Sequence, residues 1–455
     1  MEKIFHLSEN GTDVKTEIIA GITTFMTMAY ILAVNPSILS ACGMDAGAVF
    51  TATALASCLA TILMAVFANY PFVLAPGMGL NAYFAYTVVI GMGYTWQMAL
   101  AAVFAEGIIF IILSLTKVRE AIFNAFPMTL KKAVTVGIGL YIAFIGMQNA
   151  SIVVADDSTK VAFFSFKEAV ENGTMNSVGI GVILALVGVL LTTVLMVKNV
   201  KGNILLGILA TWILGIICQL IGIYVPDASV GMYSLLPDFS AGISVPSLAP
   251  TFMKMDLGSM LSPTFFLIIF AFLFVDLFDT LGTLIGVSSK ADMLDEEGKL
   301  PNIKGALLAD AVGTAIGAVL GTSTTTTFVE SASGVAEGGR TGLTAITAAV
   351  LFGLSVFLSP IFLAIPSFST APALIVVGFL MTSSVVDIDF NDLPEAVPAF
   401  ICMIAMPYLY SISEGIAFGI ISFTILHLLC GRKEKKISWL MYALTIAFIL
   451  KYILL

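Results

Sequence analysis

Charge is scarce in this chain. Asp, Glu, Lys and Arg make up 11% of its 455 residues and hydrophobic side chains 59%, whereas soluble globular proteins carry roughly 25% charged residues. A soluble fold is excluded. Histidine is rarer still: His6 lies near a terminus and His427 near a helix end, and neither supports a metal site or a Ser/His/Asp array. The cysteines Cys42, Cys58, Cys218, Cys402 and Cys430 stand apart with no CxxC spacing. They indicate neither a disulfide framework nor a zinc site, and in apolar helices cysteine behaves as a small hydrophobe. There is no basic stripe with interleaved aromatics, which closes nucleic-acid binding. The formal charge of −9 gathers largely in loop clusters such as 292–297 and 387–395, read as solvated faces.

Long apolar runs are what the chain does have. A hydrocarbon core of about 30 Å takes roughly 20 apolar residues per helix. Hydropathy and turn signals place spans at 17–39, 48–68, 71–91, 96–116, 131–150, 177–198, 201–224, 262–288, 303–321, 323–340, 341–363, 371–386, 394–410 and 413–430. The expected fold is an all-α polytopic membrane protein of about fourteen transmembrane segments, so function must sit within the membrane. The polar start MEKIFHLSENGTDVKTE runs straight into the first span, and no cleavable signal peptide is expected. Lys3, Lys15, Lys117, Arg119, Lys131, Lys132, Lys198, Lys201 and the run 432–436 fall on one face, which the positive-inside rule assigns to the cytoplasm together with the N-terminus. The apolar piece 437–455 reads equally as another crossing or, from Trp439, Tyr442 and Lys451, as an interfacial helix.

Two segments differ from the rest. In the third, LAPGMGLNAY (74–83) carries Pro76, Gly77 and Gly79, which ruin a continuous helix but suit a strand leading into a half-helix at Asn81. In the tenth, LGTSTTTTFVESASG (320–334) has a β-branched threonine run that favours an extended stretch, after which Glu330 opens a second half-helix. Each half of the chain thus holds a broken segment, third of seven in both. That is the pattern of two inverted seven-segment repeats whose discontinuous helices meet near the midplane and hold a substrate. Backbone that is not helical at this depth must pair internally or line a cavity, and two short β-strands can pair with each other.

Asp276 and Asp279 lie in the apolar stretch 266–286. An acid at mid-membrane costs roughly 2.5 kcal/mol or more, and such residues usually handle ions, protons or substrate. Three positions apart, the two share one helix face. The functional reading is a substrate acceptor with a proton carrier or tuning neighbour; the bland one is a structural pair bonded to adjacent helices. Glu330 projects into the tenth-segment break as a ligand contact, or else is an ordinary capping acid. Thr327 and Phe328 beside it join the substrate-binding candidates. Asn81 holds the equivalent place in the third segment, where its amide can donate and accept, although a turn asparagine after glycines is often structural. Asp310, in ALLADAVGTAIGAVLG, relays protons or holds the threonine strand. Glu106 is left unassigned, Glu414 is read as a helix-start residue, and Glu337 and Arg340 as an exposed cytoplasmic turn.

The strings TTFMTMAYILAVNP (23–36), APGMGLNAYF (75–84), DLFDTLGTLIG (276–286) and LLADAVGTAIGAVLGTSTTTTFVESASGVAEGGRTG (307–342) together resemble the azaguanine-like branch of the nucleobase/ascorbate transporter family, the hypoxanthine, guanine and adenine permeases. The resemblance spans nearly the whole chain. It implies a core domain at 17–116 and 262–363, a gate domain at 131–224 and 371–430, and 437–455 as an extra helix. It further implies proton symport with no cofactor beyond the proton gradient, movement of core against gate, a lipid membrane location and a homodimer. By position in the motifs the family's substrate carboxylates fall on Asp279 and Glu330, its third-segment amide on Asn81 and its ninth-helix acid on Asp310. The uracil and xanthine branches have Glu where Asp279 stands, and the uracil carriers have His at Thr283, so uracil, xanthine and urate are disfavoured cargo.

A purine nucleobase fits these groups. Guanine presents N1–H beside a 2-amino group, a donor pair for one carboxylate. A second carboxylate can take the imidazole N–H while an aromatic side chain packs on the ring. Adenine reverses the pattern at N1 and C6 and is served by a protonated acid. An anion carrier on the same fold would present bare helix N-termini or a basic residue, and an intramembrane aspartyl hydrolase would need two acids sharing a proton across facing helices while leaving the strand pair unexplained.

Overall fold

The computed structural model describes residues 2–116, 126–237, 245–258, 263–290, 293, 300–430 and 437–454. The acids of 292–297, the basic run 432–436, Lys117 and Arg119 lie outside these residues. Among the described residues ten helical stretches are long and apolar enough to cross a bilayer, with three shorter apolar helices, as the scarcity of charge requires.

Asp13 opens α1 (Val14–Met28) by accepting the N–H groups of Lys15 and Thr16, and these donors, Thr16 foremost, hold its carboxyl below the usual range. The first span is not the single helix expected over 17–39. It breaks at Ala29–Tyr30 and resumes as α2 (Ile31–Ser40). Pro36 inside α2 has no N–H to return to the preceding turn, and the break is closed by tight bonds from Leu32 to Ala29 (3.1 Å) and Ala33 to Tyr30 (3.0 Å). The chain continues through α3 (Ala46–Phe67), β1 (Leu74–Pro76), α4 (Met78–Ala82), a π-helical stretch to Gly91, and α5 (Trp96–Leu115). Next come α6 (Met128–Asn149), the β2–β3 hairpin (Val153–Asp156, Lys160–Phe163), α7 (Ile180–Val197) and α8 (Asn203–Leu220). The second half runs through α9 (Pro263–Lys290), α10 (Ile303–Leu320), β4 (Thr325–Thr327), α11 (Ser331–Ala336), α12 (Gly342–Leu354), α13 (Ser367–Thr382), α14 (Leu393–Tyr408), α15 (Ile412–Leu429) and α16 (Trp439–Leu454).

Helix α3 packs on α10 and α12, α5 on α9 and α10, and α1 on α11 and α12. Helix α6 packs on α13 and α14, α7 on α8 and α13, and α14 on α15. Small residues allow this closeness: where α6 meets α13, a Cβ on Gly139 would stand 2.6 Å from the Gly378 carbonyl. All five cysteines are free.

Glu17, buried in the first turn of α1, accepts hydrogen bonds from the backbone N–H of Arg340 (2.8 Å), Thr341 (3.3 Å) and Thr344 (3.0 Å) and from the Thr344 hydroxyl (2.7 Å). It thereby satisfies the open donors at the start of α12. Arg340, expected to be exposed, is half-buried. Its guanidinium donates to the carbonyls of Val335 (2.7 Å) and Gly339 (2.9 Å), acceptors left over where α11 ends, while Glu337 pairs with Lys201 in the exposed layer. Helix α16 runs antiparallel along α15: Thr445 meets Thr424 at 2.8 Å, and Tyr452 stacks on Phe418 and bonds Glu414. It lies beside a span rather than across its end, and Phe448 meets Phe270 of α9 with ring centroids 5.6 Å apart.

Candidate functional site

The two broken segments meet as expected. β1 and β4 pair antiparallel with Leu74 opposite Thr327, Ala75 opposite Thr326 and Pro76 opposite Thr325. The flanks are closed by Phe328 N–H to Val73 carbonyl (3.1 Å) and Gly77 N–H to Thr324 carbonyl (3.0 Å). On the outer edge of β1 the Thr61 hydroxyl lies 3.0 Å from the Leu74 N–H, and the Ser331 hydroxyl accepts from the Val73 N–H at 3.0 Å. Extended backbone deep in an apolar bundle is thus paired by its own chain, as a medium without water demands.

Gly77 is the point where strand turns into helix. A Cβ there would stand 2.6 Å from the Thr326 methyl and 3.5 Å from Asp279 Oδ2, so the missing side chain is what lets β4 lie this close to the turn, beside Asp279. Asp279 is half-buried and lies within electrostatic reach of Glu330 and Asp310. Glu330 occupies the N-cap position of α11 but makes no capping bond through its side chain. Its Oε1 instead accepts from the Tyr30 hydroxyl at 2.7 Å, which sets aside the capping-acid reading. Tyr30 is fully buried and within reach of Asp279 as well. No expectation singled it out. A tyrosine in an apolar span carries no signal of its own, and only the fold brings it to Glu330.

Asn81 is fully buried. Its Nδ2 donates to the Pro76 carbonyl at 3.3 Å, and the Ser323 hydroxyl donates to its Oδ1. Strand periodicity puts Thr326 and Phe328 on one face of β4 and Thr325 and Thr327 on the other. Phe328 and Thr327 are both buried, 6% and 2% exposed, and Thr327 Oγ1 has no partner among the described residues.

Asp276 and Asp310 converge on a hydroxyl rather than on this space. Thr280 Oγ1 lies 2.8 Å from Asp276 Oδ1, 2.9 Å from Asp310 Oδ1 and 2.7 Å from Thr326 Oγ1, all of them fully or almost fully buried. A hydroxyl has one proton to give. When it is donated to one aspartate, the other can bond the Thr280 oxygen only with a proton of its own. Thr326 links this junction to the strand pair. Glu106 on α5, also fully buried, accepts from the Thr324 hydroxyl at 2.6 Å. Glu414 keeps its bland role: its N–H bonds the Ser411 hydroxyl at 3.3 Å in the first turn of α15. His427 stacks on Phe423 and faces Glu395 at 3.5 Å.

Asp279, Glu330 and Tyr30 thus lie within reach of one another where the broken segments pair, with Asn81 buried against Pro76 and Ser323, an arrangement suited to binding a small polar solute inside a bundle. The sequence is 45% identical to the guanine/hypoxanthine permease PbuO of Bacillus subtilis (strain 168), over 99% of this chain and all of that one. It is 40% identical to the adenine permease AdeQ of Escherichia coli (strain K12), over 100% of this chain and 96% of that one. In fold it is similar to the transmembrane domain of a cyanobacterium bicarbonate transporter, BicA, with a TM-score of 0.59 at 17% identity over 89% of this chain and 97% of that one. The model of the Permease family (Xan_ur_permease) matches residues 15–450, and the chain belongs to that family, the nucleobase/ascorbate transporters, as a multi-pass membrane permease and not an enzyme.

Proposed function

We propose that the protein is a proton-coupled purine nucleobase permease that carries hypoxanthine and guanine, with adenine as the alternative cargo. The observation that carries this reading is the pair Asp279 and Glu330 at one break, the second oriented by Tyr30. A neutral purine offers N–H donors on both rings, so one carboxylate takes the N1 edge and the other the imidazole N–H, while Asn81 supplies an amide and Phe328 and Thr327 border the strand end. The relatives named for guanine, hypoxanthine and adenine support this cargo class. The bicarbonate transporter shares the fold alone; its cargo is disfavoured because Asp279 has Asp310 and Glu330 for neighbours, which repel an anion.

The coupling proton sits at the Asp276–Thr280–Asp310 junction. Its arrival neutralises one of two buried acids and so lowers the cost of moving the loaded site through the membrane. The moving body is a core at 17–116 and 262–363, and the fixed one a gate at 131–224 and 371–430. The pairings among α1 to α15 described above fall within these two sets and support the division. The scheme has fourteen segments in two inverted repeats, a cytoplasmic N-terminus and a homodimer in the cytoplasmic membrane.

The test is uptake of radiolabelled hypoxanthine into cells lacking their own purine permeases, with and without an uncoupler, competed by guanine, adenine, xanthine and uracil. Uptake blocked by guanine and abolished by uncoupling is expected. Competition by adenine alone would select the other cargo. Bicarbonate flux without purine flux would overturn the reading.

A further inference from the structure

We propose that Glu106 is a positioning residue for substrate binding: through Thr324 and Ser323 it sets the orientation in which Asn81 meets the nucleobase. The inference rests on the nucleobase reading above and adds a residue outside the site to it.

Glu106 stands on α5, fully buried. Beside it, a Cβ on Gly107 would lie 2.8 Å from the backbone nitrogen of Ala315, so α5 is pressed against α10 and the Glu106 backbone has little room to shift. Its Oε2 accepts the Thr324 hydroxyl proton at 2.6 Å. That bond needs only an acceptor oxygen, which a carboxylate or an amide can supply.

What Thr324 does next matters for the site. Its carbonyl accepts the Gly77 N–H at 3.0 Å, the bond that starts the third-segment half-helix. The adjacent Ser323 donates to Asn81 Oδ1. On its other side the Asn81 amide faces the Pro76 carbonyl at 3.3 Å, which can only accept, so the nitrogen must be the atom pointing there. The Pro76 carbonyl thus fixes which end of the amide is which, and the Ser323 hydroxyl holds the oxygen end. With its oxygen engaged by Ser323 and one N–H by Pro76, Asn81 has a second N–H to offer a ligand. It therefore reads an acceptor on the base, an unprotonated ring nitrogen or a carbonyl, while Asp279 and Glu330 read donors. Without Glu106 the Thr324 hydroxyl loses its acceptor, and the adjacent Ser323 contact that holds the Asn81 oxygen in place is loosened.

The experiment measures hypoxanthine uptake kinetics, normalised to surface-expressed protein, for the wild type, Glu106→Leu, Glu106→Gln, Thr324→Val and the Leu/Val double variant. Glu106→Leu is expected to raise KM about tenfold with Vmax little changed, the cost of one buried hydrogen bond. Thr324→Val, which keeps the shape of the side chain, is expected to do the same, and the double variant to be no worse than either single one. Glu106→Gln, which retains an acceptor oxygen, is expected to restore the affinity. An unchanged KM in both Glu106→Leu and Thr324→Val overturns the inference. So does a glutamine variant as impaired as the leucine one, because a charge or a proton at Glu106 would then be what counts. Absence of wild-type uptake of any purine overturns the nucleobase reading itself, whereas wild-type uptake with additive effects in the double variant removes only the role of Glu106.

Discussion

Tyr30 and Glu330, 300 positions apart in sequence, are joined by a hydrogen bond of 2.7 Å. Tyr30 sits at the break between α1 and α2, and Glu330 at the entry to α11. Each lies where a helix is interrupted, so the bond ties the first span to the tenth-segment break. Tyr30→Phe removes the donor and leaves the ring. Hypoxanthine KM is expected to rise about five- to tenfold, as for one lost hydrogen bond of ordinary strength, and uptake kinetics at matched surface expression check it.

The Asp276–Thr280–Asp310 junction is expected to govern coupling more than binding. Thr280→Val keeps the side-chain volume and removes the hydroxyl that both acids share. Accumulation against a gradient should fall about tenfold, the effect of losing one charged hydrogen bond, while exchange of internal for external hypoxanthine falls much less. Comparing net uptake with exchange in preloaded vesicles separates the two. Equal losses in both would place Thr280 with substrate binding.

Gly77→Ala drives a methyl group into Thr326 and toward Asp279. Overpacking of this kind costs about 1–3 kcal/mol, and here it also pushes on the strand pair. Loss of uptake together with a lower thermal midpoint in detergent is expected, and Gly77→Ala with wild-type transport would show that the break is softer than its contacts indicate.

Glu17→Ala strips four hydrogen bonds from the start of α12. Leaving those buried donors unpaired is expected to cost about 3 kcal/mol or more, seen as a lower thermal midpoint. Substrate affinity in the surviving folded protein should stay close to that of the wild type, since Glu17 bonds the start of α12 and none of the substrate-binding candidates.

The acids and breaks were legible in the sequence because each violates a strong rule. Asp276 and Asp279 stand in an apolar run where charge is costly, Pro76 and Gly77 defeat a helix, and a threonine run favours strand. Tyr30 violates nothing: a tyrosine in an apolar span is by default a packing residue, and only the fold brings it to Glu330. Thr280 and Ser323 were hidden for the same reason, since a lone hydroxyl inside a helix or loop normally bonds its own backbone. Arg340 was misjudged as exposed because a turn arginine usually is, and carbonyls left over at the end of α11 do not show in composition. The β2–β3 hairpin was overlooked, although Asp156 closes its turn by accepting from Ser158 (2.9 Å) and Thr159 (2.7 Å), a pattern the residues DDST invite.

The three-residue pairing of β1 with β4 also sets a schedule for making the protein. Leu74 waits for Thr327, about 250 residues later, and at roughly 5–20 residues per second of synthesis that is on the order of tens of seconds. Throughout that interval the newly inserted third segment holds open backbone groups that lipid cannot satisfy. The nascent chain must therefore shelter it, against the insertion machinery or a neighbouring helix, until the second half arrives to complete the sheet.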